Sequence, residues 1–96
     1  YIEAGNKNNA FVIPVGIAFE NAYQENPNIN LHKDYDGTHP NLLGTYLASC
    51  VVYASITNLS PLNINYSYFD RVSKEDRTFL QKIAKETVED FYDIVL

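Results

Sequence analysis

Leu42-Leu43-Gly44-Thr45-Tyr46-Leu47-Ala48-Ser49-Cys50-Val51-Val52-Tyr53-Ala54-Ser55-Ile56 is the stretch on which the reading of this chain turns. Leu43, Tyr46, Leu47, Cys50, Val51 and Ala54 recur at the three-and-four spacing of a buried helical stripe, and Leu42, Val52, Tyr53 and Ile56 make the other face apolar too. A helix apolar on nearly all sides normally sits between a sheet and another layer. Pro40 suits its first turn, and Asn41 or Thr38 its cap.

Working outward toward the N-terminus, Lys33 to Pro40 holds Asp34, Asp36, Gly37 and Pro40, all turn formers, and reads as a loop running straight into that helix. Ile29 to His32 reads as a short extended piece, and Asn26-Pro27-Asn28 ends a helix over Gly16 to Tyr23 in which Ile17, Ala18, Phe19 and Ala22 fall at helical spacing. The run Phe11-Val12-Ile13-Pro14-Val15 is rich in β-branched residues and predicts a parallel-type strand, with Pro14 at an edge or strand end. Tyr1 to Asn9, with Gly5, Asn6, Asn8 and Asn9, resembles the exit of a helix whose earlier turns are absent. In the other direction, Asn58 to Tyr68 is a polar and aromatic connector without clear period. Ser73-Lys74-Glu75-Asp76 then opens a last helix with Leu80, Ile83, Ala84, Thr87, Val88, Phe91 and Val95 on its apolar stripe. The expected class is α/β, with one or two short strands and three main helices in a single segment, 1–96.

Composition narrows the function classes. An apolar fraction of 46% with eight Tyr and five Phe excludes a disordered or low-complexity chain. A formal charge of −5 argues against nucleic acid, because binding a phosphate backbone needs clustered cations. No apolar run approaches the roughly 20 residues that cross a bilayer. The lone Cys50 excludes an internal disulfide, and its place on the apolar helix makes it a small core hydrophobe.

The residues that carry chemistry are Asp36 and His39, in Asp36-Gly37-Thr38-His39-Pro40. A carboxylate on one ring nitrogen fixes the imidazole tautomer and favours the imidazolium, leaving the other nitrogen to take a proton from a nucleophile. On spacing alone the ordinary reading is a loop Asp that caps the following helix. Three other groupings are weighed the same way. His32, Asp34, Asp36 and His39 are ligand types for Zn or Mn, but a metal site needs three convergent ligands, which a loop of unknown shape does not ensure, and His32 reads instead as an ordinary surface residue. Glu20 and Asn21 would face a ligand crevice at a strand end, or else lie on a solvated helix face. Tyr66, Tyr68 and Phe69 would stack on a sugar, or else fill core. Glu86, Glu89, Asp90 and Asp93 read as a solvated face.

The block from Asp36 to Cys50, Asp-x-x-His followed by Pro and a Gly-containing helix, resembles the last conserved block of the SGNH (GDSL-type) hydrolases. Val12-Ile13-Pro14-Val15-Gly16-Ile17-Ala18-Phe19 is similar to the final strand and turn that precede it in bacterial members, so the resemblance covers roughly Phe11 to Pro61. It implies a flavodoxin-like three-layer α/β/α sandwich, of which this would be the C-terminal part. It also implies ester hydrolysis through a serine acyl-enzyme, with His39 as general base and Asp36 as its orienting carboxylate, and it requires no cofactor or metal. The family's nucleophile belongs to a Gly-Asp-Ser block and its oxyanion donors to two middle blocks. None of these is in the sequence, where Ser49, Ser55, Ser60, Ser67 and Ser73 fall on helices and connectors. The missing blocks would come from upstream sequence, which would also cover the exposed face of the Leu42 to Ile56 helix. The resemblance leaves the substrate open within esters of small acyl groups or acylated carbohydrates, and points to export. The alternative is a small α/β binding module that hides the same face against a second copy of itself or a partner.

Overall fold

The computed structural model of the chain describes residues 12–32, 41–64 and 71–96. Among these residues helix α1 spans Val15–Glu25, α2 spans Leu42–Thr57 and α3 spans Lys74–Tyr92, with a 3-10 turn at Pro61–Asn63.

Each helix is delimited by local chemistry. Asn41 caps α2, its side-chain oxygen accepting from Gly44 N at 3.0 Å, and Ser73 caps α3 by accepting from Asp76 N at 3.1 Å. Glu75 and Asp76 lie in the first turn of α3, where the helix dipole favours negative charge. At the far ends, Asn58 and Asp93 take the left-handed conformation, with φ of 57° and 55°, and end α2 and α3. Asn and Asp tolerate that region better than bulkier residues do.

The expected strand over Phe11 to Val15 is not formed by its described residues: Val12, Ile13 and Pro14 have no regular structure, and Val15 is already the first residue of α1. The β-branched run misled because a proline beside a helix start sacrifices no intrahelical donor. Pro14 stands at the N-cap and its carbonyl accepts from Ala18 N at 3.1 Å. Of the extended piece over Ile29 to His32, His32 alone makes an isolated bridge. The α/β/α sandwich is therefore corrected: the described residues form a small three-helix globule without a β-strand.

The apolar helix is covered by helices rather than by a sheet. α2 packs chiefly on α3, and α1 lies across both. The shared core contains Ala18 and Ala22 of α1, Tyr46, Leu47, Cys50, Val51 and Ala54 of α2, and Leu80, Ile83, Ala84 and Val88 of α3, with Leu31 and Val72 closing its ends. Small residues at Ala18, Ala22, Ala54 and Ala84 let the helix backbones approach closely. Asn21 of α1 donates to Thr87 Oγ1 of α3 at 2.9 Å, and the Tyr92 hydroxyl donates to the Val12 carbonyl, so α1 and the segment leading into it are both tied to α3.

Two buried polar groups differ sharply in how they are accommodated. Gln81 Nε2 on α3 donates to Tyr46 Oη at 2.8 Å and to the Ile64 carbonyl at 2.9 Å, joining α2, α3 and the connector at one point. Ser55 Oγ, on a residue only 4% exposed, has no hydrogen-bond partner. Removing a donor from buried acceptors costs about 1–3 kcal/mol, whereas removing an unpaired polar atom relieves a desolvation cost of similar size. Gln81→Leu is therefore expected to destabilise the chain by about 2 kcal/mol although it adds an apolar side chain, and Ser55→Ala to stabilise it by about 1 kcal/mol, both read from urea unfolding midpoints.

Candidate functional site

Asp36 and His39 lie in sequence between two described roots, Leu31, which is fully buried, and Asn41. These two roots are bonded to each other. Asn41 N donates to the Leu31 carbonyl at 2.9 Å, and Asn41 Nδ2 donates to the Asn30 carbonyl at 2.7 Å and lies 3.5 Å from the His32 carbonyl. The side-chain oxygen of the same residue is engaged by Gly44 N. One asparagine thus holds the Asn30–His32 segment and starts α2.

A second set of contacts anchors the outgoing root. Tyr23 Oη of α1 accepts from Leu31 N at 3.1 Å and is 2.7 Å from His32 Nδ1. With the phenol oxygen accepting from Leu31, its own proton fits Nδ1, which leaves Nε2 as the protonated nitrogen of the neutral ring. The two rings are nearly parallel, with centroids 5.8 Å apart and planes 9° from each other, and Phe19 lies against the imidazole at 5.3 Å. His32, read from sequence as an ordinary surface residue, is instead half-buried between two aromatic side chains.

Asp36 and His39 themselves, and Asp34 of the weighed metal grouping, lie outside the described residues, as do Tyr66, Tyr68 and Phe69 of the weighed sugar platform. Among the described residues no group of His, Cys, Asp and Glu is arranged to hold a metal ion. Of the crevice pair, Asn21 is used between α1 and α3, and Glu20 is exposed. In the acidic run of α3, Glu89 is engaged: its carboxylate accepts from Leu96 N and Lys85 Nζ, both at 2.9 Å, and these bonds, the backbone one first, lower its pKa.

Two of the surface depressions among the described residues flank α2. One, of about 540 Å³, is lined by Ser55, Ile56, Asn58, Tyr92 and Ile94, and a shallower one follows the outer side of α2 along Thr45, Ala48, Ser49, Val52 and Tyr53. Ile56 is 62% exposed at the end of that side, so the apolar circumference read from the sequence is incompletely covered. No helix among the described residues is long and apolar enough to cross a membrane.

Comparison with known protein families, with curated proteins and with solved structures finds no match to this chain.

Cys50 is not a nucleophile. Its side chain is 1% exposed in the α2–α3 core, and burial pushes the thiol up to about 11. Burial likewise raises the Tyr46 phenol, its largest influence, against the opposing hydrogen bond from Gln81. A group whose pKa is raised on folding stabilises the fold below its unfolded pKa and withdraws that support as pH climbs to the folded value. Stability is therefore expected to fall between about pH 9 and pH 11, less steeply in Cys50→Ala, as followed by circular dichroism. A thiol reagent at pH 8 is expected to label Cys50 only at the rate of unfolding.

Proposed function

We propose that this chain contributes the general base and its orienter to a serine ester hydrolase of the SGNH type: His39 takes the proton from a serine hydroxyl and Asp36 holds the imidazole. The observation that carries the reading is the block Asp36-Gly37-Thr38-His39-Pro40 set immediately before a capped, core-packed helix. The bonded roots at Leu31 and Asn41 support it, because a base must be held within hydrogen-bond reach of its nucleophile and loops on rigid supports are where such residues reside. On this reading the serine and the oxyanion donors would be supplied from outside these 96 residues. In the acylation step the serine oxygen attacks the ester carbonyl as its proton passes to His39, and His39 then returns that proton to the departing alkoxide. Substrates in keeping with this chemistry are small acyl esters, including those of acylated carbohydrates.

The half-covered outer side of α2, with Val52 and Tyr53 half-buried and Ile56 exposed, favours a second reading in which the chain is a binding module that pairs with a copy of itself or a partner.

Hydrolysis of p-nitrophenyl acetate by the intact gene product separates the two. His39→Ala is expected to lower kcat/KM by about 10³-fold or more, and Asp36→Asn by about 10³- to 10⁴-fold with folding unchanged. Equal activity in wild type and His39→Ala would remove the proposed base, and a self-associating chain without esterase activity would favour the binding module.

A further inference from the structure

We infer that the depression between the C-terminal ends of α2 and α3 is a binding site for a small organic ammonium ion, an amine cation carried on an apolar body. The inference is independent of the hydrolase reading. The depression, of about 540 Å³, is lined by Ser55, Ile56 and Asn58 from the end of α2 and by Tyr92 and Ile94 from the end of α3. That volume falls within the usual range of a small-molecule site, and apolar walls carrying a few polar groups are the usual lining.

Ser55 distinguishes the depression from a gap in the packing. The residue is 4% exposed, and its Oγ has no hydrogen-bond partner among the described residues. A buried polar atom without a partner lowers stability, and alanine would occupy the same place in the helix without that cost. Such an atom calls for a partner that the fold itself does not supply. A serine hydroxyl turns readily among its staggered rotamers, so Ser55, at the wall of the depression, can accept from a donor that enters there.

The charge of the occupant follows from the helix ends. A helix leaves its last carbonyls without intrahelical donors, and its C-terminus carries roughly half a negative charge. Two such ends meet at this depression. Neither α2 nor α3 has a basic residue in its last turn, the lining residues carry no charge, and the residue that ends α3 is an acid, Asp93. The formal charge of −5 adds to the same field, which attracts a cation and repels a carboxylate. An ammonium group is all donor: it can serve Ser55 Oγ and the helix-end carbonyls together, while Ile56, Ile94 and the Tyr92 ring take the apolar body.

The test is titration of the intact gene product with benzylammonium at pH 7, followed by calorimetry and by backbone amide chemical shifts. The wild type is expected to bind with a Kd of about 1 mM and to move the amides of Ile56, Asn58 and Ile94. Benzyl alcohol, with the same ring and no charge, is expected to bind about ten-fold more weakly, and benzoate not measurably. Ser55→Ala is expected to weaken benzylammonium about ten-fold while its melting temperature rises, so the loss is not one of folding. Ile56→Lys, at an exposed position, is expected to weaken it by a similar factor by setting a like charge at the rim. An absence of saturable binding in the wild type, or shifts confined to another face, overturns the inference. So does wild-type affinity in Ser55→Ala or Ile56→Lys. Benzoate or benzyl alcohol binding as tightly as benzylammonium overturns it as well, assigning the site to apolar contact alone.

Discussion

One side chain, bonding in two directions, joins α2 to the Asn30–Leu31 segment. Asn41 accepts from the first turn of α2 and donates to the Asn30 carbonyl, and its backbone N–H reaches Leu31. Each such bond contributes only about 0.5–1.5 kcal/mol net, because water is displaced from both partners. Their value lies in what they join. α2 is the most buried helix of the described residues, and Leu31 is sealed in the same core, so Asn41 joins two parts of one packed unit.

That arrangement presupposes a core that holds α2, and the core is built from helices. Leu47, Val51 and Ala54 meet Leu80, Ile83, Ala84 and Val88 with α1 laid across them, and Gln81 brings an internal polar junction, shared by Tyr46 and the Ile64 carbonyl. A junction whose donor meets two acceptors fixes the register of α3 against α2 more tightly than apolar contacts do, since sliding by a turn strands both acceptors. Ser55, unpaired on the same helix, makes the contrast from within the fold: the hydroxyl is buried by packing and nothing answers it.

Much of this was legible in the residues. The stripe at Tyr46, Leu47, Cys50, Val51 and Ala54 predicted α2, the Ser73 to Asp76 start predicted α3, and Cys50 was read as core; each is found so. Asn41 was readable as a cap because its type and place at a helix start suffice. Its second role was not, since nothing local announces that Asn30 returns to within 2.7 Å of it. His32 was misjudged for the same reason: its half-burial depends on Tyr23 and Phe19, one helix earlier. The strand over Phe11 to Val15 failed because β-branched content reports a preference for a half-buried surface, not a pairing partner, and Val15 instead opens α1 behind Pro14. The three-layer sandwich fell with it, since a helix apolar on all sides needs cover but does not say whether sheet or helix provides it.

The central claim is that His39 serves as a base toward a serine, and a fluorophosphonate probe measures that most directly. Such a probe phosphonylates a serine only when a neighbouring base activates it, so no substrate need be known. The account predicts stoichiometric labelling of one serine in the intact gene product and near-complete loss of labelling in His39→Ala at unchanged fold. Labelling that proceeds equally in His39→Ala, or a folded wild-type protein that takes up no probe, would contradict it.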